Sequence, residues 1–201
     1  MGRTSDSRQQ QAATLPGLFR PRELHEHGVS RDRLRGMVRR GDVERVARGL
    51  YRVTDIAPTE LETVAMVSKK APGAVVCLLT ALRIHGIGTQ QPRQVWIAID
   101  RRARKPNFDG LPVRVVRFSG RMLTYGVETR TVNGVDIRIT SPARTVVDCF
   151  RYRHKIGVDI ALEALRDVLR TREASVDEIV RVAEVCRIAT VIGPYLEAVI
   201  S

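Results

Sequence analysis

The side chains with the clearest chemical purpose lie in residues 28–53, GVSRDRLRGMVRRGDVERVARGLYRV. This stretch holds Arg31, Arg33, Arg35, Arg39, Arg40, Arg45, Arg48 and Arg52. A guanidinium keeps its charge and presents a planar fork of donors that matches two acceptors of a phosphate or a guanine edge at once. Arginines packed this densely suit a polyanion, most often nucleic acid. Reaction centres are harder to find. The chain has no GxxxxGK[ST] phosphate loop, no GxSxG nucleophile turn and no HExxH zinc pair. His25, His27, His85, His154, Cys77, Cys149 and Cys186 show no metal-ligand spacing and read as structural or surface residues. A restriction-type nuclease needs an acidic-x-Lys pair, and Lys69, Lys70, Lys105 and Lys155 all lack an acid two residues before them. Asp100 and Asp136 are isolated carboxylates in strand candidates. We therefore assign no catalytic residue, no cofactor and no metal, and expect no enzyme.

The elements that would position the arginines can be read locally. Ser30 is a helix N-cap, because its hydroxyl can accept an orphan N–H of the first turn. The spacing predicts a helix over Arg31 to Arg40, with Leu34, Met37 and Val38 as one apolar stripe. Gly41 follows, where a left-handed cap wants glycine. The face opposite Leu34 and Val38 carries Asp32, Arg35, Gly36 and Arg39, flanked by Arg33 and Arg40. Gly36 costs roughly 1 kcal/mol against alanine inside a helix, which a close approach to DNA would explain. Strands over Val43 to Ala47 and Leu50 to Val53 meet at Arg48-Gly49. Before them, Pro21 opens a short supporting helix to His27 with Leu24 inward, and residues 1–14 are a candidate first helix. Helix, turn, helix and basic hairpin describe a winged helix-turn-helix that places one helix in the major groove. The DNA-contact candidates are thus Ser30, Arg31, Arg33, Arg35, Arg39, Arg40, Arg45, Arg48 and Arg52.

The rest of the chain changes period. A boundary is expected at Ile56-Ala57-Pro58, which divides the chain into domains 1–57 and 58–201. A Thr59/Glu62 capping box predicts a helix to about Lys70, and residues 80–86 a short helix closed by Gly86. Strand candidates are Val95 to Asp100, Val113 to Phe118, Val127 to Val132 and Val135 to Thr140, the last two joined at Asn133-Gly134. From Ser141 the pattern is helical: Ser141 caps, Pro142 takes the first position, Val158 to Arg170 is apolar over a wide face, Ser175/Glu178 is a second capping box, and Pro194 opens a final short helix. The expected fold class is α+β, a winged unit followed by one antiparallel sheet with helices before and after it.

The 201 residues carry 34 Lys and Arg against 22 Asp and Glu, a formal charge of +12, which favours a polyanionic partner. The excess lies in the winged unit and in the span holding Arg101, Arg102, Arg104 and Lys105, a candidate second phosphate contact with an ordinary solvated loop as the equal alternative; the helical tail is near neutral. Arg144, Thr145 and Asp148 are a candidate polar surface patch, against which stands ordinary capping and salt bridging. No apolar run reaches membrane length, no secretory leader is seen, and three scattered cysteines fit a reducing cytosol. The expected location is cytoplasmic.

The winged segment, LTALRIHGI at 79–87 and NGVDIRITSPARTVVDCF at 133–150 followed by ALEAL together resemble the AbiEi antitoxins of bacterial type IV toxin–antitoxin systems, from about Leu18 to Arg170. The resemblance implies a winged domain that binds inverted repeats in its own promoter and represses the operon. It further implies a C-terminal domain that counters a nucleotidyltransferase-type toxin without a stable complex. Arg144, Thr145 and Asp148 are then the candidate antitoxin patch. We expect a monomer in solution that pairs on double-stranded DNA. Two rivals stand beside this reading: a stand-alone winged-helix regulator whose second domain senses a ligand or binds nucleic acid, and a nucleic-acid-processing or toxin-modifying activity in residues 58–201.

Overall fold

Turn chemistry sets the N-terminal elements in the computed structural model, which describes residues 15–55 and 60–200. The expected first helix and the Ile56-Ala57-Pro58 boundary lie outside the described residues, as does Thr59. Strand β1 (Leu18–Phe19) precedes a 3-10 helix (Pro21–His27) that Gly28 closes in the left-handed conformation at φ 64°. Helix α1 (Arg31–Arg40) and strands β2 (Val43–Ala47) and β3 (Leu50–Val53) follow with the predicted bounds. The three strands form an antiparallel sheet in the order β1-β3-β2. Phe19, Leu24, Val29, Leu34, Met37, Val43 and Val53 close a small core over it. Helix α2 (Glu62–Lys70) starts after Leu61, which supplies no side-chain cap. The chain divides into two compact units: one of the residues to Ala71 with Asn107–Leu111 and Thr131–Asp136, the other of the remainder.

The second unit holds most of a five-stranded sheet of β4 (Val75–Val76), β5 (Val95–Asp100), β6 (Val113–Phe118), β7 (Val127–Val132) and β8 (Val135–Thr140), in the order β6-β5-β4-β8-β7. The four longer strands match their predicted bounds. The sheet is mixed, not purely antiparallel: β4 runs antiparallel to β5, while β5·β6 and β4·β8 are parallel. Residues 101–112 carry the chain back along the sheet before β6, which a parallel neighbour requires. Helix α3 (Leu78–His85) ends at Gly86, φ 69°. Helices α4 (Pro142–Arg151), α5 (Arg153–Ile156), α6 (Val158–Arg170), α7 (Val176–Val185) and α8 (Ala189–Ile200) complete the unit. Ser141 caps α4, and Ser175 with Glu178 forms the predicted box on α7. Pro194 lies inside α8 rather than opening it. An interior proline costs about 3 kcal/mol; burial of Ile192 and Leu196 and the Phe150–Tyr195 ring contact at 5.1 Å work against that loss.

The expected surface patch on α4 is overturned. Arg144, Thr145 and Asp148 are fully buried. The apolar positions 143, 146, 147 and 150 occupy so much of the helix that the intervening polar residues go inward too. Arg144 donates from Nε to Asp148 at 3.0 Å, and its other nitrogens donate to the carbonyls of Tyr125 at 2.5 Å and Met122 at 3.0 Å. Its guanidinium lies 5.2 Å from the centre of the Phe118 ring. The Thr145 hydroxyl bonds Thr140 and the carbonyl of Ser141. A salt bridge at i, i+4 reads the same in sequence whether wet or dry, and here it is dry. Burial pushes the Asp148 carboxyl up to about 6, although Arg144 and Arg151 pull the other way.

Breaking this pair strands a buried charge. Arg144→Ala is expected to lower stability by about 3–5 kcal/mol in urea denaturation, and Arg144→Met by less. The pH dependence has a definite sign. Because the folded pKa of Asp148 is raised, its contribution is fully present below the unfolded value and lost as pH rises through about 6. The stability of the wild type relative to Asp148→Asn should therefore grow as pH falls from 7 to 4.

Candidate nucleic-acid interface

Helix α1 is held at both ends by backbone chemistry. The Ser30 hydroxyl accepts from the Arg33 N–H at 3.2 Å, and Gly41 at φ 81° turns its N–H back to the Val38 carbonyl at 3.2 Å. Leu34 and Met37 seat the helix in the core. Val38 was expected in that stripe but is exposed. At about 100° per residue it lies about 100° from Met37, at the edge of a stripe centred between Leu34 and Met37.

The outward side divides the arginines into two groups. The Arg31, Arg33 and Arg39 guanidinium groups are exposed and have no hydrogen-bond or ion-pair partner among the described residues. Arg35 meets Asp32 at 2.7 Å with both side chains largely in water, a pair worth at most about 1 kcal/mol. Such a pair leaves Arg35 free to exchange partners. Arg40 is drawn to Asp42 at 2.9 Å and lies back over Gly36, where an added Cβ would meet its Nη1 at 3.2 Å.

On the hairpin, Arg45 and Arg48 are exposed beside a turn that needs the left-handed φ of 69° at Gly49. The register shifts between Arg45 and Ala47, which bends the strand there. Arg52 does not join them. Its guanidinium is bound by Glu44 and Glu62 and only a fifth of the side chain is exposed. Burial opposes its charge, but the hydrogen bonds to both carboxylates outweigh it and raise its pKa. Sequence reading missed one anchor of this hairpin and an ion pair to the supporting helix. Lys70 donates to the Arg48 carbonyl at 3.2 Å and pairs with Asp109, while Lys69 pairs with Glu23 at 2.9 Å. The one available signal was the run Lys69-Lys70 at a helix end.

The remaining candidates fall elsewhere. Arg101, Arg102, Arg104 and Lys105 are all exposed on the loop after β5. Arg144, Thr145 and Asp148 are in the core, as described. His25, His27 and His154 are exposed, and half-buried His85 meets the Thr140 carbonyl through Nε2 at 2.7 Å. Burial lowers its pKa. Cys77, Cys149 and Cys186 are free and buried. Among the described residues no acidic, histidine or cysteine cluster could hold a metal, and no helix is long and apolar enough to cross a membrane.

A short helix set by caps, a supporting helix before it and a basic hairpin after it make the first unit a winged helix-turn-helix, within an α+β chain. Residues 10–54 match the family described as "Transcriptional regulator, AbiEi antitoxin", and residues 74–193, more than half of the chain, match "AbiEi antitoxin C-terminal domain". The chain belongs to the AbiEi antitoxin family. No curated protein matches it. Among solved structures, the crystal structure of the RV2827C protein from Mycobacterium tuberculosis is similar in fold, with a TM-score of 0.58 at 16% identity over 90% of this chain and 71% of that one. Both matched family descriptions are of regulators or antitoxins, not of enzymes.

The two groups of hairpin arginines separate in experiment. Arg52→Ala should lower the melting temperature and leave the salt dependence of DNA binding unchanged. Arg48→Ala should leave the melting temperature unchanged and reduce the slope of log K against log[salt] by about 0.9. Fluorescence-anisotropy titrations over a salt series, paired with thermal melts, distinguish them.

Proposed function

We propose that this chain binds inverted repeats in its own promoter through helix α1 and the β2–β3 hairpin, and represses its operon. The observation that carries this reading is the disposition of Arg31, Arg33 and Arg39: exposed and unengaged on a helix whose other side is fixed by Leu34 and Met37. A charge with no internal partner gains most from meeting a phosphate or a guanine edge. Exposed Arg45 and Arg48 supply flanking backbone contacts, and Arg35 can be released from its solvated pair with Asp32. One molecule would occupy each repeat, so that monomers in solution pair on the duplex.

The antitoxin half of the proposal is that the second unit counters a nucleotidyltransferase-type toxin of a type IV system without a stable complex. Membership of the AbiEi family supports it. The side chains of Arg144, Thr145 and Asp148 do not, because they are buried and have no surface to offer a partner. A toxin-facing surface on this unit would have to be built from other residues.

A mobility-shift assay with the promoter duplex tests the DNA reading. Arg33→Ala and Arg39→Ala should each cost about 1–3 kcal/mol if the residue reads a base. Unchanged affinity in both, together with Arg48→Ala, contradicts it. In a growth-rescue assay against a nucleotidyltransferase-type toxin, the double variant of Arg33 and Arg39 should rescue as the wild type does.

A further inference from the structure

Helix α2 meets the β2–β3 hairpin at both of its ends. At its first residue, Glu62 binds the Arg52 guanidinium, which Glu44 also holds. At its last, Lys70 donates from Nζ to the Arg48 carbonyl at 3.2 Å and pairs with Asp109. The spans agree: residues 62 to 70 of a helix rise about 12 Å, and residues 48 to 52 of an extended chain cover about 13 Å. One helix thus fits both the root and the tip of the hairpin. All of these residues belong to the first unit. The tip needs such help. Strand β1 pairs only with Tyr51 and Arg52, so among the described residues no third strand supports the hairpin toward Arg48. A two-stranded ribbon is marginal by itself, and the register of this one shifts between Arg45 and Ala47.

The Lys70 side chain is only 9% exposed. A covered ammonium is costly unless its donors meet acceptors, so both of its partners matter. Asp109 is itself held: its backbone is left-handed at φ 49°, and its N–H donates to Asn107 Oδ1 at 2.9 Å. The Lys70 hydrogen bond keeps the Asp109 carboxyl below its usual range, and the charge of Arg48 adds to this. The other partner, the Arg48 carbonyl, lies in the peptide that leads into Gly49, φ 69°. A bond to that carbonyl fixes the turn and leaves the Arg48 guanidinium unused. Arg48 is accordingly exposed.

We propose that Lys70 is a positioning residue for DNA binding: it sets where the hairpin tip sits, so that the Arg48 guanidinium meets a backbone phosphate, without touching the DNA itself. Asp109 holds Lys70 in that place. The proposal rests on the reading of the β2–β3 hairpin as a DNA contact, and it names residues outside the hairpin on which that contact depends. A tip fixed before binding need not be ordered during it, which is where the gain in affinity arises.

The test is a double-mutant cycle on the full chain with the promoter duplex: wild type, K70M, R48A and K70M/R48A, with K70R as the conservative variant. Anisotropy titrations over a salt series give the slope of log K against log[salt], and thermal melts report folding. K70M should reduce the slope by about 0.9, as R48A does, because the same phosphate contact is lost. The double variant should lose no more than either single one, and K70R should recover most of the loss. A purely structural role would lower the melting temperature and leave the slope alone. Losses that add, to about 1.8 in the double variant, would mean that Lys70 meets a phosphate of its own, and overturn the proposal. A wild-type slope in K70M beside a reduced one in R48A overturns it too, while the reading of the hairpin stands. A wild-type slope in R48A overturns that reading and the proposal with it. If K70M melts early, D109N replaces it: the slope should again fall, and only while Arg48 is present, whereas an unchanged or steeper slope overturns the proposal.

Discussion

A guanidinium cannot discard its charge at any pH a protein tolerates, so each arginine must meet acceptors or remain in water. That constraint sorts this chain more than any other. Where an arginine goes inward, the fold must surround it: Arg144 has a carboxylate, two carbonyls and the face of Phe118. Where it is half covered, carboxylates from other elements come to it, as Glu44 and Glu62 come to Arg52. Among the cations left outward, Arg31, Arg33 and Arg39 on α1 and the row from Arg101 to Lys105 are grouped and have no side-chain partner among the described residues. Function is argued from this remainder, not from the total of 34 cations.

The buried pair shows the cost of the inward choice. Asp148 gives one oxygen to Arg144, while Oδ1 has no hydrogen-bond partner among the described residues. A half-satisfied buried carboxylate is expensive, and burial accordingly drives its pKa upward. The arrangement nonetheless ties α4 to the carbonyls of Met122 and Tyr125. The closeness is visible at Gly126, φ 62°, where a Cβ would come within 3.0 Å of the Arg144 Cβ. An added Cβ would crowd Arg144, and the left-handed φ would strain any side chain there.

Most element bounds were legible in sequence because they depend on local chemistry. Ser30, Gly41, Gly49, Asn133-Gly134, Ser141 and the Ser175/Glu178 box act within a few residues, and the strand periods are equally local. What was not legible depends on pairing at a distance. The alternating pattern of β5 and β6 is indifferent to whether a neighbour runs parallel or antiparallel, so the mixed sheet was unreadable. Arg52 looked like a wing contact because its two carboxylates lie eight and ten residues away. Arg144 and Asp148 looked solvated because i, i+4 spacing does not reveal depth. Pro194 looked like a helix start because the packing that overrides its cost comes from Phe150, more than forty residues earlier. Of the candidate site, α1 and the wing tip were readable; the separation of engaged from free arginines was not.

The central claim is that helix α1 and the β2–β3 hairpin are where this AbiEi family member meets DNA. Hydrogen exchange on the full chain, with and without a saturating promoter duplex, tests it most directly, because it locates the contact without altering any side chain. The account predicts that added protection includes residues 30–53, strongest in α1 and at the turn through Arg48 and Gly49. Protection confined to α4 through α8, with α1 exchanging as in the free protein, would contradict it.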